Sequence, residues 1–324
     1  MSYPAEGAAR SRWIVERRPG RNVLDPRRPY AFLVEPEVGA DGAEWPTATV
    51  FLTNRECPYR CLMCDLWRNT LEETVPEGAV AEQVEYALQQ LPPARVLKLY
   101  NAGSFFDPRA IPPAEHPAIA RLAAPFERVV VECHPSLVGP SCVEFRDRLR
   151  EAAEPGRAPT LEVAMGLETV HPEVLPRLNK RMTLEQFRWA ASFLADNGIA
   201  LRVFILVRPP WLTEAEGVEW ARRSLDFAFE CGASVCALIP TRAGNGAMDA
   251  LAASGEFEPP SLPSVEAALE YGLELGAGRV LADLWDIRQF AACPTCADAR
   301  IARLEVMNRT QSPSPPVECG CCNG

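Results

Sequence analysis

Three closely spaced cysteines are the residues of this chain best suited to chemistry. Cys57, Cys61 and Cys64 follow a short apolar segment, 48–52, with the spacing C-x3-C-x2-C. Iron–sulfur clusters need thiolates held close together, and three thiolates leave one iron of a four-iron cluster open to another ligand. A zinc site normally adds a fourth ligand or a functional water, usually with His or Asp nearby. No histidine lies near this triad. The triad therefore predicts a [4Fe–4S] cluster, with zinc as the alternative.

A second group of cysteines lies near the end of the chain. Two C-x2-C pairs, separated by 22 residues, have the spacing of a structural zinc site, with Cys293, Cys296, Cys319 and Cys322 as its ligands. Cys321 belongs to neither pair and could replace a neighbouring cysteine as a ligand. Two alternatives stay open, namely a second iron–sulfur cluster and a disordered tail, because the Pro-rich segment 312–316 resembles a linker.

Composition and charge narrow the class of protein. Twelve cysteines in 324 residues, mostly grouped, indicate metal ligands in a reducing compartment. Residues 1–30 have no apolar segment typical of a secretory signal, so we expect neither a signal peptide nor a membrane span. We therefore expect a cytoplasmic protein. The net charge of −10 argues against a broad nucleic-acid-binding surface. Residues 1–30 contain seven Arg and three acidic residues, and we expect them to form a solvated arm.

Alternation of apolar segments and helical patterns predicts a parallel α/β sheet. One helix face is formed by Val80, Val84, Leu88 and Leu91. Two more helices are predicted to begin at the capping-box patterns 183–186 and 213–216. Repeated strand–helix units imply right-handed crossovers and a partial (β/α)6 barrel. The six predicted strands are 48–52, 96–100, 128–133, 161–166, 201–207 and 234–239.

Polar and small residues follow each predicted strand. In α/β barrels the loops at the carboxyl ends of the strands build the ligand site. The six segments therefore predict one binding mouth, although such loops are polar in any case. They are 54–64, 101–104, 134–135, 168–169, 208–210 and 240–244.

The cysteine spacing, placed after the first strand of a partial barrel, resembles the radical S-adenosylmethionine (SAM) superfamily over residues 48–240. The resemblance implies that the open iron binds the amino and carboxylate groups of SAM. It also implies reductive cleavage of SAM to methionine and a 5′-deoxyadenosyl radical, which takes a hydrogen atom from the substrate. A flavodoxin, a ferredoxin or a reductase is the electron donor that this chemistry implies.

Several further positions match the superfamily residue by residue. Asn101, Gly103 and Ser104 stand where the family has a Gly-Gly-Glu-like turn that binds the SAM amino group. Glu168 resembles the acidic residue that contacts SAM, and we expect it to have a cationic or hydroxyl partner. Glu132 is a second candidate for the same region, with a salt bridge to a loop arginine as the alternative. Met63 replaces the usual aromatic residue and is expected to pack on adenine.

Segments 97–105, 165–169 and 178–182 resemble one branch, which contains the radical subunit of archaeosine synthase and the catalytic subunit of elongator. For the archaeosine branch this implies carbon–nitrogen bond cleavage in a lysine-modified 7-deazaguanine of tRNA. The residues expected to anchor an anionic substrate are Lys180, Arg202, Arg208 and Arg242.

The acidic chain leaves other functions open. A partner subunit would have to supply the tRNA-binding surface, since this chain has no added RNA-binding domain. A small molecule or a modified nucleoside is the competing substrate. A zinc-binding RNA-binding or scaffold module is the non-enzymatic alternative. The expected division is an N-terminal arm or cap (1–46), a core (47–245) and a Cys-rich extension (246–324), and the sequence does not predict an oligomeric state.

Overall fold

The computed structural model describes residues 2–321, which fold around a curved sheet. Within that range the strands are β1 (Ala31–Val38), β2 (Glu44–Leu52), β3 (Asn54–Arg55), β4 (Thr70–Leu71), β5 (Val96–Asn101), β6 (Arg128–Glu132), β7 (Thr160–Glu168), β8 (Ala200–Val207), β9 (Val235–Pro240) and β10 (Arg279–Ala282). β3 pairs with β4 alone, and the other eight follow the order β1-β2-β5-β6-β7-β8-β9-β10. Strand β1 is antiparallel to β2, and the remaining pairs are parallel. The predicted α/β partial barrel is confirmed.

Helices connect the parallel strands and cover the convex face of the sheet. In the described range they are α1 (Gly7–Val15), α2 (Ala79–Leu88), α3 (His116–Ala123), α4 (Pro140–Ala152), α5 (Val174–Arg177), α6 (Leu184–Asp196), α7 (Glu214–Glu230), α8 (Ala247–Ala253), α9 (Leu262–Leu275) and α10 (Ala297–Thr310). None of these helices is both long and apolar enough to cross a membrane.

The strand and helix boundaries have local causes that the sequence shows. Thr183 and Gln186 form a reciprocal capping box at the start of α6, and Thr213 and Glu216 form another at the start of α7. The main core packs the helices against one face of the sheet, with side chains such as Val131 fully buried. This layer holds the strands in register, so the loops that follow them meet at one edge.

Two strands of the large sheet were missed by the sequence analysis. Strand β1 lies in the segment assigned to the N-terminal arm, and its Pro36 is tolerated because β1 is an edge strand. Strand β10, only four residues long, lies in the C-terminal extension and pairs with β9. The Arg279 guanidinium donates to the Val38 carbonyl (2.5 Å), which links the two outermost strands. Both outer regions therefore contribute to the sheet that carries the core, and the three-part division stays a prediction.

A buried group of charged side chains lies near the amino ends of the parallel strands. Arg202 is 2 % exposed, and its guanidinium pairs with Glu162 (2.5 Å) and Glu37 (2.6 Å). Lys98 also pairs with Glu37 (2.5 Å). Burial alone would raise the pKa of Glu37, but the charges of Arg202 and Lys98 outweigh burial and hold that pKa well below its usual range.

The position of Arg202 contradicts the substrate-binding role expected for it. Arg202 is the third residue of β8, and its strand neighbours are Ala164 in β7 and Val235, the first residue of β9. It therefore lies away from the carboxyl ends of the strands, and two carboxylates already neutralise it. Arg202 is a structural residue of the sheet.

Candidate active site

The three cysteines lie in a loop that leaves the sheet after β2 and is closed at its base by the β3–β4 pair. Two distant segments hold its centre in place. The Leu62 amide donates to the Leu178 carbonyl (2.9 Å), and the Asn245 side chain donates to the carbonyls of Leu62 (2.8 Å) and Cys64 (3.1 Å). Because Leu62 is fully buried, the loop is fixed to the carboxyl edge of the sheet.

The N-terminal arm forms part of the support for this loop. Glu56 precedes the first cysteine, and its buried carboxylate pairs with Arg18 (2.7 Å), Arg60 (3.1 Å) and Arg21. Helix α1 is anchored by the nearly buried side chains of Trp13 and Ile14. The expectation of a solvated arm is therefore wrong, because these apolar side chains and a buried carboxylate hold the arm in place.

The three triad sulfurs do not all lie as close to one another as the ligands of a single zinc ion. In the described chain the only three Cys, His, Asp or Glu ligand atoms within 4.8 Å of one another belong to the tail, so at least one pair of triad sulfurs is farther apart. Zinc–sulfur bonds of about 2.3 Å would bring all three sulfurs within about 4.6 Å of one another. The spacing favours a cluster over a single zinc ion.

Burial raises the pKa values of all three triad thiols, to about 11 for Cys57 and about 12 for Cys61 and Cys64. Without metal the thiols therefore keep their protons at neutral pH. Metal binding must displace those protons, since the thiolate is the ligand.

The turn after β5 lies against the triad. Gly103 has φ +151°, and a Cβ there would meet the Cys57 Cβ at 3.1 Å and its sulfur at 3.6 Å. Glycine is therefore required both by the backbone conformation and by the close approach. Ser104 accepts a hydrogen bond from the His134 amide (2.7 Å). Within the described chain the buried Asn101 side chain has no partner for its Nδ2 or its Oδ1.

Glu168 has the cationic partner that the sequence analysis expected, namely Lys180. Their Oε1 and Nζ atoms are 2.6 Å apart, and the side chains are 9 % and 10 % exposed. Burial lowers the pKa of Lys180, but the charge and hydrogen bond of Glu168, together with Cys61 and Cys57, outweigh burial, and the pKa lies above its ordinary value. Lys180 thus holds the Glu168 carboxylate rather than standing free for an anionic substrate.

Glu132 has no such partner, so the alternative of a salt bridge to a loop arginine is wrong. Its Oε2 accepts the Asn101 amide hydrogen (2.8 Å), and it forms no ion pair with any described residue. Burial raises its pKa to about 8, only partly offset by that hydrogen bond and by Lys180. The carboxyl group is therefore mainly protonated at neutral pH and can act as a hydrogen-bond donor.

His134 and Tyr59 are site residues to which the sequence analysis gave no role. Their rings stack with centroids 3.8 Å apart, and Nε2 of His134 donates to the Lys180 carbonyl (3.0 Å). Burial lowers the pKa of His134 to about 4, so the ring is neutral. The sequence features that could have identified them are the position of His134 just after a predicted strand and the position of Tyr59 between two cysteines of the triad.

The remaining predicted site residues differ in how many contacts they make with other groups of the protein. Met63 packs beside the apolar group that contains Trp13. The Arg208 guanidinium pairs with Glu214 (2.6 Å) and donates to the Pro259 carbonyl (2.8 Å). It also pairs with Glu258, so Arg208 joins β8 to its neighbours and is not free to bind an anion.

Arg242 lies at the end of β9 and pairs with Asp283 (2.8 Å), and both side chains are partly exposed. It thus stays accessible near the mouth. Of the four predicted anion-binding residues, Arg242 is the one that the geometry leaves for a substrate.

The tail cysteines form a second cluster of ligand atoms. The sulfurs of Cys293, Cys319 and Cys321 lie within 4.8 Å of one another, so the cysteine that the sequence analysis left over belongs to the group. Cys296 is buried, with the Arg300 side chain 3.3 Å from its sulfur. The predicted ligand Cys322 lies outside the described residues.

The alternative of a disordered tail is wrong as far as residue 321. Arg303 donates to the carbonyls of Ser314 (2.6 Å) and Pro315 (2.8 Å), and Cys319 is buried. The Pro-rich segment is therefore held against α10 and brings the last cysteines back to Cys293.

Comparisons with known proteins identify the fold. The chain superposes on Elp3 from Methanocaldococcus infernus with a TM-score of 0.51 at 13% identity, covering 80% of this chain and 63% of that one. It superposes on methylornithine synthase with a TM-score of 0.51 at 11% identity, covering 86% and 70%. The chain has the radical SAM fold. The superfamily resemblance seen in the sequence is thus confirmed at the level of the fold.

Sequence relatives of the chain are distant. It is 23% identical over 260 residues to an uncharacterised protein of Methanocaldococcus jannaschii, covering 76% of this chain and 69% of the relative. It is 24% identical over 235 residues to archaeosine synthase subunit beta of Methanosarcina acetivorans, covering 69% and 66%. The subunit of the same name from Thermococcus kodakarensis is 27% identical over 172 residues, covering 51% of each chain.

The chain thus spans about two thirds of the first two relatives and half of the third. No family model matches it.

Proposed function

We propose that this chain is a radical SAM enzyme that binds a [4Fe–4S] cluster through Cys57, Cys61 and Cys64 and SAM at the remaining iron. The observation that carries the proposal is the contact between Gly103 and Cys57 at the carboxyl edge of the sheet. The half-buried backbone of Gly103 lies beside the cysteine loop, which supports the binding of a ligand of the open iron there.

The residues around the triad fit such a ligand. The buried Asn101 amide has an unpaired donor and an unpaired acceptor, and a buried polar group of this kind is costly unless a ligand satisfies it. When bound, the cluster supplies the electron that cleaves SAM reductively, giving methionine and a 5′-deoxyadenosyl radical. Lys180 fixes the Glu168 carboxylate next to this space, and Glu132 presents a carboxyl group that keeps its proton at neutral pH.

The test is 5′-deoxyadenosine formation by protein reconstituted with iron and sulfide without oxygen. We expect brown protein that produces 5′-deoxyadenosine from SAM and dithionite, and no product from Cys57→Ala, Cys61→Ala or Cys64→Ala. Cys231→Ala, which alters a half-buried thiol after α7, is the matched control and should stay active. Colourless, air-stable protein that binds zinc at the triad would overturn the proposal in favour of a structural metal module.

For the substrate we propose a modified 7-deazaguanine in tRNA, with carbon–nitrogen bond cleavage. Two relatives bear the name archaeosine synthase subunit beta, and the word subunit supports a partner chain. The net charge of −10 is unfavourable for binding a polyanion without help. We therefore expect the partner, rather than this chain, to provide most of the tRNA-binding surface.

Deuterium transfer distinguishes the possible substrates. With tRNA whose lysine-modified 7-deazaguanine is deuterated on the lysine side chain, the proposal predicts deuterium in 5′-deoxyadenosine and cleaved tRNA base as product. Transfer only from the free nucleoside or from another small molecule would refute the tRNA substrate. That result would leave the radical chemistry itself standing.

For the tail we propose a structural zinc ion bound by Cys293, Cys319 and Cys321, with a further tail cysteine, Cys296 or Cys322, as the fourth ligand that such a site requires. The sulfurs of Cys293, Cys319 and Cys321 already lie close to the separation that bonds to one zinc ion require. The same closeness argues against a second iron–sulfur cluster, whose thiolates bind different irons. Metal analysis of protein purified without reconstitution tests this proposal, and the expected result is zinc without additional iron.

A further inference from the structure

A basic cavity lies on the outer side of the cysteine loop. Its volume is about 390 Å³, and it is lined by two glutamates, Pro58 and four arginines, which are Arg21, Arg55, Arg60 and Arg109. None of the lining residues belongs to the eight-stranded sheet. A molecule bound here would therefore leave the concave face of the sheet open to a substrate.

Four arginines and only two glutamates, Glu56 and Glu72, line the cavity, so its lining has a net positive charge. Glu56 is surrounded by three of the basic side chains, Arg18, Arg21 and Arg60. The Arg55 guanidinium has no ion pair or hydrogen bond with any residue in 2–321. Arg109 is 57 % exposed and meets only Asp107, at 3.8 Å. In a chain of net charge −10, this local excess of cations predicts an anionic partner.

The cavity also lies close to the proposed cluster. Pro58 directly follows Cys57, and Arg60 directly precedes Cys61. The Arg60 side chain donates to the Cys57 carbonyl, so one wall of the cavity is bonded to a cluster ligand. A partner seated in this cavity would contact Pro58 and Arg60, which are part of the cysteine loop itself.

We propose that this cavity is the docking site for the acidic face of a small one-electron donor protein. The inference rests on the proposed function, which requires one electron for each SAM molecule cleaved. One electron passes from the reduced centre of the donor to the cluster at Cys57, Cys61 and Cys64. The donor is oxidised by one electron, the cluster is reduced by one, and no bond or proton changes place in this step.

Charge and size favour a donor protein over RNA. Redox encounters use small interfaces whose charges are complementary. RNA binding draws on many phosphate contacts, whereas this cavity has only four arginines, and two glutamates line it beside them.

The test compares two reductants on the double variant Arg55→Glu/Arg109→Glu, with reduced flavodoxin as the protein donor and dithionite as the small one. Reversing both charges should raise the apparent KM for flavodoxin in 5′-deoxyadenosine formation by about tenfold or more and leave the dithionite rate within about twofold. Arg27→Glu, an exposed arginine that pairs with Glu82 outside the cavity, is the matched control. Arg55→Gln/Arg109→Gln removes the charges without reversing them, so it should raise the apparent KM for flavodoxin by a smaller factor. This milder variant shows whether the effect of the glutamate variant comes from charge or from misfolding.

Binding provides a readout that does not depend on turnover. The affinity for oxidised flavodoxin can be measured by fluorescence anisotropy. For the wild-type protein this affinity should fall as salt is added, and for the double variant it should be weaker and less sensitive to salt. The docking site would be overturned if the double variant bound flavodoxin as tightly as wild type. It would also be overturned if the variant instead lost affinity for an RNA oligonucleotide. Equal losses with both reductants would also overturn it, because they would place the two arginines in the reaction itself. Wild-type protein inactive even with dithionite would refute the proposed function, on which the docking site rests.

Discussion

The buried pair of Lys180 and Glu168 gives the sharpest prediction about the site. Their charged atoms are 2.6 Å apart, and each side chain is at most 10 % exposed. Lys180→Met keeps most of the side-chain volume but leaves the Glu168 carboxylate buried and unpaired. Loss of one partner of a buried ion pair costs about 3–5 kcal/mol, so we expect the free energy of unfolding to fall by that order.

A double-mutant cycle separates this charge effect from changes in packing. Urea unfolding of the metal-free protein, kept reduced, would be measured for Lys180→Met, Glu168→Gln and the double variant. The double variant should be more stable than Lys180→Met alone, because the uncompensated carboxylate is gone. A loss below about 1 kcal/mol for Lys180→Met, or strictly additive effects, would refute the pairing, since that is the range of exposed pairs.

Three further predictions concern single positions. Gly103→Ala should reduce iron incorporation with little change in far-UV circular dichroism, because the added methyl group would press on Cys57 in a strained backbone conformation. Glu132→Gln should be more stable than wild type above about pH 8, and the difference should shrink as pH falls to about 4.5, because the pKa of Glu132 is raised from 4.5 to about 8 on folding. That gain is on the order of 5 kcal/mol at most, and chemical unfolding across this pH range measures it. Cys321→Ser should lower the zinc content without lowering the iron content, as measured by elemental analysis.

Each of these predictions has a clear contrary result. Full iron loading of Gly103→Ala would show that the turn does not need to approach the cysteine loop. Parallel pH profiles for wild type and Glu132→Gln would show that this carboxyl group is not buried in the folded protein. Iron lost along with zinc in Cys321→Ser would place a cluster in the tail and contradict the structural zinc site.

The sequence predicted the parts of the site that depend on local spacing. The cysteine triad, the glycine turn and Glu168 were all found because each follows a strand whose apolar pattern is visible in one dimension. The predicted cationic partner of Glu168 could be named only from the structure, since nothing in the sequence distinguishes Lys180 from an arginine elsewhere.

Residues that depend on long-range packing could not be assigned in this way. Arg202 was read as a substrate ligand because its two carboxylate partners come from strands β1 and β7, which only the curved sheet brings together. The arm was expected to be solvated because its contact with Glu56 is invisible in composition. Strand β1 was missed because its proline and two glutamates resemble those of a loop, and β10 was missed because it is short.

The central claim is that the triad binds a cluster with one iron open to SAM, and electron paramagnetic resonance tests it most directly. Protein reconstituted without oxygen would be reduced with dithionite and recorded before and after addition of SAM. The account predicts a reduced [4Fe–4S] signal that shifts when SAM is added, is lost in Cys61→Ala and is retained in Cys231→Ala. A signal that SAM leaves unchanged, or the absence of any cluster signal in wild-type protein, would contradict the account.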